Sequence, residues 1–504
     1  MMNSNRRDFV KSTVAAGAFS VVPRHVLGMG QVPPSEKVNL AMIGVGGRGA
    51  HLAMLADWWE VDVQCRATDV PEYAAVAGKW NGKYENRRGT QSMVNIVAMS
   101  DVDTARMATT LDPANVNSSS ETRGGAYTPI YPPGDRFAKA RFFKDYRVML
   151  ETMRGSIDGV LVCPPPFAHF HATLTAMQLG LAVYTEKPFT RWVADARRLT
   201  EAAKRYGVVT QLGVQGHSSW STARTRDWIL EGSIGTVREV LCWEPGSGGR
   251  PRPEIPIPAS LDYDLWLNKA PYRPYCGYAG GGWGGTAYWT AGTYGEWGMH
   301  GLDAAYYALD LTAPDKVEVE IGGDWAQPQE AFYPAEQTCS WYMPARGDKP
   351  PVRVRMLIMR AEELEKRVLP LLRDVPPGTT LSALNRGRGV AIIGEKATII
   401  YGGWGEGSRI FPEEKAKEIG FAPVRAPRVD GEMRSFLRAI KGRGQTLAHF
   451  GYSGKMAEML LLGDVAVRSK NRSINWDSKA MLVTNDDEAN QTVHGPDPRK
   501  GWEI

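Results

Sequence analysis

The chain has 504 residues, of which 43% are hydrophobic and 23% are charged, and its formal net charge is +5. A chain of this length exceeds one ordinary hydrophobic core, so two domains are the expected organisation. The charge is mild and no block of lysines or arginines stands out, which argues against nucleic acid or a membrane surface as a partner. The five cysteines are widely spaced without a CxxC pair, which favours small buried residues over a disulfide framework or a zinc site.

The N-terminus carries an export pattern. Arg6 and Arg7 stand in NRRDFVK and precede the apolar stretch STVAAGAFSVV, which is about half the length that a membrane anchor needs. We expect residues 1–33 to be a twin-arginine signal segment rather than part of the fold, and the protein to be periplasmic without a membrane anchor. Because this route exports folded proteins, a cofactor would have to be tightly bound and loaded before export.

The segment KVNLAMIGVGGRGAHLAMLA predicts a strand, a glycine turn and a helix. Gly44, Gly46 and Gly49 fit the pattern G-x-G-x-x-G, in which glycines permit a tight turn, close approach to a pyrophosphate and packing of the helix on the strand. The N-terminus of the helix would offer free N–H groups to the phosphates. We therefore predict a dinucleotide site at this turn, which also includes Gly47 and Arg48.

An acidic residue at the end of the second strand should hold the ribose hydroxyls of such a dinucleotide. Asp69 follows VDVQCRAT at nearly the expected distance, whereas Asp101 follows VNIVAMS, which is a better buried strand. We favour Asp101 and interpret residues of about 57–93 as an insertion. A carboxylate at this place favours NAD by repelling a 2′-phosphate, while Arg48 keeps NADP possible.

Strands and helices alternate through the next part of the chain. The strands IDGVLVC, LAVYTE and VVTQLGV are separated by helical stretches, which predicts βαβ units in a parallel, doubly wound sheet over residues 34–214. Over residues 215–504, short strands such as TVREVLCW, PVRVRMLIM and GVAIIG predominate, with two helices near the C-terminus. The expected fold class is α/β, with a Rossmann domain followed by an α+β domain on a large, mostly antiparallel open sheet.

Several motifs, taken in order, carry a family resemblance. AMIGVGGRG, AMSDVD, FKDYRVML, VYTEKPFT, TQLGVQGHSS, DYDLWL and EWGMHGLDAAYYAL together resemble the Gfo/Idh/MocA oxidoreductases, particularly their exported subgroup with a twin-arginine leader. The similarity spans nearly the whole chain after the leader. It implies an NAD(P)-dependent oxidoreductase with a nicotinamide-binding Rossmann domain and a C-terminal sheet that often forms an oligomer interface, so we expect a homodimer or homotetramer.

The resemblance also assigns roles to single residues. Lys187 falls on the family's catalytic lysine, and its bond to Pro188 resembles a family feature that is often cis. His300 falls on the catalytic histidine. Glu296 stands where the family usually has aspartate, and Asp303 matches a common acidic position of the subgroup.

Further cofactor contacts are expected at the ends of the fourth and fifth strands. They are Pro164, His169 and Glu186, besides Lys187 itself. His169 matches the family's histidine in the loop after the fourth strand, although the preceding residues are PPPF here instead of the usual TPDH.

The implied chemistry defines what these side chains must do. Oxidation of a secondary alcohol requires hydride to leave the carbon while a base takes the hydroxyl proton. Lysine and histidine can both handle that proton, so we assign Lys187 and His300 as a proton-handling pair and leave open which of them takes it. The spacing of Glu296, His300 and Asp303 places them on one face of an α-helix, and Glu296 is predicted to orient the imidazole.

An aromatic, glycine-rich segment, YRPYCGYAGGGWGGTAYWTAGTYGEWGMH, ends at His300. Flat aromatic faces suit sugar rings, and their polar edges can bind hydroxyls. Packing or an oligomer contact is the competing interpretation. The expected substrate contacts are His217, Trp220, Trp283, Trp289, Trp297 and Asp303. A metal is not expected, because the close pair His169 and His171 has no neighbouring carboxylate or thiol.

Three functions stay open at this point. The first is an oxidoreductase acting on a secondary alcohol of a sugar, cyclitol or glycoside. The second is a glycosidase that uses NAD for transient oxidation at C3, elimination and re-reduction, which export favours because the periplasm should lack free NAD. The third is a non-catalytic sugar-binding protein, against which the presence of Lys187 and His300 argues.

Overall fold

A computed structural model describes residues 33–49, 52, 93–111, 137, 139–246, 252–278, 287–322, 332–385, 387–429 and 431–504. Four predicted features lie outside the described residues. They are the twin-arginine motif, the insertion up to residue 92, Asp69 and Trp283.

The first sheet has six parallel strands in the order β3-β2-β1-β4-β5-β6. These strands are β1 Val38–Ile43, β2 Val94–Ser100, β3 Arg141–Phe143, β4 Gly159–Val162, β5 Ala182–Glu186 and β6 Thr210–Gly213. The central strands are buried almost throughout, as a parallel sheet covered on both faces requires. The strand order reverses between β1 and β4, so a crevice opens at their carboxyl ends, where such sheets bind ligands.

Among the described residues, five helices accompany this part of the chain. They are α1 Thr104–Leu111, α2 Tyr146–Thr152, α3 Pro166–Gln178, α4 Val193–Tyr206 and α5 Trp220–Leu230. Gly207 ends α4 in the left-handed conformation, with φ of 62°. Because Pro166 is tolerated in the first helical turn, α3 begins earlier than expected. The prediction of a loop at His169 is therefore wrong, and His169 lies within α3.

The second sheet has nine strands in the order β13-β12-β11-β7-β10-β9-β8-β14-β15. These strands are β7 Val237–Pro245, β8 Lys316–Gly322, β9 Glu336–Met343, β10 Val352–Met359, β11 Gly389–Gly394, β12 Thr398–Gly402, β13 Arg409–Phe411, β14 Ser473–Asp477 and β15 Leu482–Val483. The pair β7–β10 is parallel and the other neighbouring pairs are antiparallel. Burial alternates along β9, so one face of the sheet is covered and the other is more open.

The other described helices pack on the second sheet, on neighbouring helices and partly on the first sheet. They are α6 Tyr263–Leu267, α7 Met299–Gly301, α8 Asp303–Ala308, α9 Ala361–Val368, α10 Leu381–Asn385, α11 Glu413–Ile419, α12 Glu432–Ile440, α13 Phe450–Arg468 and α14 Ala489–His494. Met433, Phe436 and Leu437 of α12 pack in one hydrophobic cluster with Val38 and Leu40 of β1. The C-terminal part of the chain therefore helps to cover the parallel sheet.

The predicted fold class is confirmed by these two sheets, one parallel and one mostly antiparallel. The domain boundary between residues 214 and 215 stays a prediction. Among the described helices, none is both long enough and apolar enough to cross a membrane.

Candidate active site

The turn after β1 has the backbone geometry that the glycine pattern predicts. Gly44 has φ of 78°, and a Cβ there would lie 2.7 Å from the backbone N of Pro164 and 2.8 Å from the carbonyl O of Cys163. A Cβ at Gly49 would overlap the carbonyl oxygen of Gly44. Both positions therefore need glycine, and the turn lies tightly against the end of β4 at the crevice.

The other two glycines form the outer side of the turn. A Cβ at Gly46 would overlap the side chain of Arg106, whereas a Cβ at Gly47 would meet no described atom within 4 Å. The backbone at Gly47, with φ of 47°, is thus open to an approaching ligand.

Asp101 fastens this turn to the end of β2. Its Oδ2 accepts the backbone N–H of Val45 at 3.0 Å, and its Oδ1 accepts that of Asp103 at 3.0 Å. Burial raises the pKa of Asp101, although these two hydrogen bonds act in the opposite direction. Each carboxylate oxygen can accept a second hydrogen bond, so the side chain could also bind a ribose hydroxyl.

Arg48 crosses the crevice from the glycine turn to β5. Its Nε donates to Oε1 of Glu186 at 2.8 Å. Glu186 is buried and also accepts the backbone N–H of Lys187 at 3.3 Å and Nε2 of Gln215 at 3.4 Å. One carboxylate therefore joins the segments that follow β1, β5 and β6.

Lys187 leaves the end of β5 through a cis bond to Pro188. Its Nζ lies 3.3 Å from Oε2 of Glu296, whose Oε1 accepts a hydrogen bond from Oγ1 of Thr290 at 2.5 Å. The side chain of Lys187 keeps 24% of its surface exposed. The ammonium group is thus held in one direction and can still be reached by a ligand.

The predicted contact between Glu296 and His300 is wrong. Glu296 binds Lys187 and Thr290, and Nδ1 of His300 is buried without a hydrogen-bond partner among the described residues. The reason lies in the backbone, because Tyr294–Gly298 forms a π-helix and only the following Met299–Gly301 is α-helical. The α-helical spacing assumed for this segment does not apply there.

His300 nevertheless lies within electrostatic range of the lysine. Burial lowers the pKa of His300 well below its usual value, and the positive charges of Lys187 and Arg48 lower it further. The imidazole is therefore neutral near pH 7, and one ring nitrogen can accept a hydrogen bond. The ring centroids of Trp297 and Trp404 each lie 6.1 Å from that of His300.

His169 links two loops. Its Nδ1 lies 2.6 Å from the carbonyl O of Pro188, and its Nε2 lies 2.8 Å from that of Pro164. Burial lowers the pKa of His169, against the opposing effect of the two carbonyl groups. Both ring nitrogens face backbone carbonyl groups, so His169 joins the end of β4 to the cis bond. Its contact with a cofactor stays a prediction.

The tryptophans that were expected to contact substrate differ in their surroundings. The ring of Trp297 has Nζ of Lys187 at 5.9 Å from its centroid, so Trp297 belongs to the site. Trp289 is fully buried against Phe167 and Trp266. Its predicted contact with substrate is therefore wrong, because aromatic packing removes it from the surface.

Trp220 stands at the start of α5, and its contact with substrate stays a prediction. It is partly buried, and its Nε1 donates to the carbonyl O of Val429 at 3.1 Å. This hydrogen bond ties α5 to the segment before α12.

His217 and Asp303 form a buried pair. Nδ1 of His217 lies 3.0 Å from both carboxylate oxygens of Asp303, and the hydroxyl of Tyr452 donates to Oδ1 at 2.7 Å. Each side chain of the pair is 1% exposed. The pair fixes the start of α8, three residues after His300, and the substrate contacts of His217 and Asp303 stay predictions.

One wall of the site was not indicated by the sequence patterns. Trp404, in the loop after β12, has its ring centroid 5.2 Å from that of Trp297. The Cζ of Arg388 lies 4.2 Å from the ring centroid of Trp297 and 5.5 Å from that of Trp404. We call Trp297, Trp404 and Arg388 the arginine–tryptophan wall. A tryptophan between glycines in YGGWGEG was the one available signal for it.

Comparisons with known proteins agree with this architecture. The model of the NAD-binding Rossmann fold of the Gfo/Idh/MocA oxidoreductase family matches residues 83–214, and the model of that family's C-terminal α/β domain matches residues 239–337. D-glucoside 3-dehydrogenase of Escherichia coli is 25% identical over 220 residues, which are 40% of this chain and 60% of that protein. D-xylose 1-dehydrogenase (NADP(+)) of Hypocrea jecorina is 34% identical over 86 residues, which are 17% of this chain and 22% of that protein.

These curated relatives are thus matched over less than two thirds of their own length. The crystal structure of aldose-aldose oxidoreductase from Caulobacter crescentus, at 15% identity, superimposes with a TM-score of 0.50 over 87% of this chain and 100% of its own, which shows a shared fold. The two family models follow each other along the chain in the order of the two sheets. The chain is thus similar to the two domains of Gfo/Idh/MocA oxidoreductases over residues 83–214 and 239–337.

Proposed function

We propose that the protein transfers hydride between a nicotinamide cofactor and a carbon that bears a secondary hydroxyl group in a sugar, cyclitol or glycoside. The observation that carries this proposal is the Lys187–Glu296 ion pair of 3.3 Å, beside the neutral His300 and at the crevice edge of the parallel sheet. Two relatives are named as dehydrogenases of sugars, which supports a carbohydrate substrate.

The residues around the glycine turn fit a dinucleotide. Gly44 and Gly49 keep the turn free of side chains, and Gly47 leaves its outer backbone open. Arg48 offers a cation near the phosphates, and Asp101 has lone pairs left for ribose hydroxyls. The bound nicotinamide would supply the hydride acceptor for alcohol oxidation. We propose tightly bound NAD, because a carboxylate at Asp101 disfavours the 2′-phosphate of NADP.

His300 and Lys187 have different roles at the substrate oxygen. The neutral imidazole accepts the hydroxyl hydrogen and takes the proton as hydride leaves the same carbon, which balances the oxidation of the alcohol to a ketone. The ammonium group of Lys187 donates a hydrogen bond to that oxygen and stabilises its developing negative charge. Glu296 holds Lys187 in position, and the positive surroundings of His300 favour release of the proton afterwards.

The proposal can be tested on the purified full-length protein. Mass spectrometry identifies any bound nucleotide, and a panel of glycosides is then incubated with the protein while reduced-nicotinamide absorbance and aglycone release are followed. Net reduction of the nicotinamide supports the oxidoreductase. Aglycone release without net reduction identifies the redox-neutral glycosidase instead. A bound nucleotide without either signal contradicts the proposed activity and favours a sugar-binding protein.

We also propose that Arg6 and Arg7 direct export of the folded protein to the periplasm. A reporter fused to residues 1–33 should be exported, and replacement of both arginines by lysine should prevent export. The open face of the nine-stranded sheet is the proposed homo-oligomer interface, following the family resemblance. Light scattering of the purified protein gives its oligomeric state.

A further inference from the structure

Arg388 is fixed at the site by its surroundings. Its guanidinium packs over the rings of Trp297 and Trp404. Its stem passes Gly403, where a Cβ would lie only 3.0 Å from Cδ of Arg388. A residue larger than glycine at position 403 would therefore crowd the side chain of Arg388. The glycine backbone leaves room for that side chain.

Much of the hydrogen-bonding capacity of Arg388 is unused. Within the described residues its guanidinium makes one ion pair, in which an η nitrogen lies 3.3 Å from Oε1 of Glu244. A guanidinium carries five N–H donors, and 27% of this side chain is exposed. Burial raises the pKa of Glu244 to about 7, although the charge of Arg388 lowers it. Near neutral pH the acid therefore offsets only part of the positive charge of the arginine.

Trp297 connects Arg388 to the reacting groups. Nζ of Lys187 lies 5.9 Å from its ring centroid, and Cζ of Arg388 lies 4.2 Å from the same centroid. The two cationic groups can thus be no more than about 10 Å apart. One sugar ring with an exocyclic group can span this distance, with a ring hydroxyl at Lys187 and the exocyclic group at Arg388.

The chemistry of Arg388 favours a carboxylate as that exocyclic group. A planar guanidinium stacked on aromatic rings presents a fixed fork, which matches the two oxygens of a carboxylate. A neutral sugar would displace water from the guanidinium without neutralising its charge, and desolvation of an uncompensated charge is unfavourable.

We propose that Arg388 recognises a carboxylate on the substrate, so the substrate class is an acidic sugar of the uronic acid type. This inference rests on the proposed function, because it places the carbohydrate between Lys187 and the arginine–tryptophan wall. The inference specifies that the substrate carries a negative charge, which the proposed reaction does not require.

Calorimetric binding to the full-length protein tests the inference with two matched pairs of sugars. Methyl glucuronide is compared with methyl glucoside, and methyl galacturonide with methyl galactoside, so that each pair differs only in the carboxylate at C6. The wild type should bind the acidic member of at least one pair about tenfold or more tightly. R388Q should weaken that binding by about 10- to 100-fold and leave the neutral sugar nearly unchanged.

Two variants control for structural effects. R388K keeps the charge without the planar fork and should lie between the wild type and R388Q. R353Q removes an arginine of β10 that is ion-paired to Glu239 and should leave the preference intact. If R388Q does not fold, as judged by its melting temperature, R388K must show the reduced preference.

Equal affinity for the acidic and neutral members of both pairs would overturn the inference, as would an R388Q protein that keeps the acidic preference. Failure to bind any of the four sugars would overturn it as well. Turnover separates this result from the proposed function. Net nicotinamide reduction by neutral glycosides, without acidic preference, would leave the oxidoreductase in place and remove the acidic substrate class.

Discussion

The crevice at the glycine turn and the arginine–tryptophan wall both lie near Lys187 but are assembled differently. The crevice is built from short segments, namely the glycine turn of residues 44–49 and the end of β5 at Glu186 and Lys187. The wall combines side chains of a π-helix, the residue before β11 and the loop after β12. Phosphate recognition depends on backbone shape, so one short segment of the chain can provide it. Recognition of a particular substrate needs side chains that the fold brings together from distant segments.

The ion pairs show the same contrast. Arg48 and Glu186 in the crevice are 2.8 Å apart, whereas the pair Lys187–Glu296 and the pair Arg388–Glu244 are each 3.3 Å apart. The shorter pair joins chain segments. The two longer pairs leave N–H groups of lysine and arginine available for a substrate. On the cofactor side the arginine thus joins parts of the fold, whereas on the substrate side the two cations keep donors for a ligand.

Removal of the imidazole should have the largest effect on the substrate side. H300Q is expected to lower turnover by roughly 100- to 10,000-fold, because the hydroxyl proton loses its acceptor. Its affinity for the dinucleotide should stay at the wild-type value. Steady-state kinetics and nucleotide titration measure the two quantities. Turnover within about threefold of wild type would remove His300 from the mechanism.

The cofactor side is tested by two alanine substitutions in one turn. G44A places a Cβ 2.7 Å from the backbone of Pro164 and should weaken NAD binding on the order of 100-fold. Gly47 also has a positive φ, but the Cβ that G47A adds would meet no described atom within 4 Å. The expected loss of NAD affinity in G47A is therefore about fivefold. Fluorescence titration with NADH compares them. Equal losses would show that the fit of the turn against β4 is unimportant.

Glu244, the ion-pair partner of Arg388, should make the free energy of unfolding depend on pH. Burial raises the pKa of Glu244 from 4.5 to about 7, so the folded protein keeps a proton there that the unfolded chain has released. The free energy of unfolding of the wild type should therefore fall as pH rises from about 4.5 to about 7. E244Q cannot lose that proton, and its stability relative to wild type should increase over this window by up to about 3 kcal/mol.

Urea denaturation of both proteins at pH 5 and pH 8 measures this difference. The relative stability of the two proteins should change between the two pH values. An unchanged difference would mean that Glu244 ionises in the fold as it does in the unfolded chain.

Loss of charge at Glu296 should have the smallest effect on turnover. E296Q keeps a hydrogen-bond acceptor for Thr290 but removes the counter-ion of Lys187, so turnover should fall about tenfold. Steady-state kinetics measure this loss. E318Q, which removes the partner of Lys316 on β8, is the matched control and should leave turnover unchanged.

Much of the fold was readable from the sequence because burial follows simple periods in most strands. Strand β9 was missed, and its contacts explain why. Gln337 occupies a buried position in β9 and accepts a hydrogen bond from the hydroxyl of Tyr294 at 2.7 Å. A polar residue satisfied by a distant side chain interrupts the apolar alternation that identifies a strand. Such a pattern cannot be recognised before the partner is known.

The site was only partly readable for related reasons. Lys187 and His300 were found through ordered motifs, but the role of Glu296 was assigned from α-helical spacing that the π-helix does not follow. Trp289 was expected at the surface because composition does not distinguish a packed ring from an exposed one. No sequence pattern indicated a role for Arg388, because the pairing of β11 with β7 and β12 is what brings this residue to the site.

If Lys187 acts on the substrate oxygen at the cofactor crevice, single-turnover formation of reduced nicotinamide should depend on this side chain. Cofactor-loaded protein is mixed with a glycoside that the wild type oxidises. K187M should reduce its nicotinamide at least about 100-fold more slowly, while its nucleotide affinity and the rate of a K316M control stay at wild-type values. Reduction by K187M at the wild-type rate would show that Lys187 takes no part in the reaction.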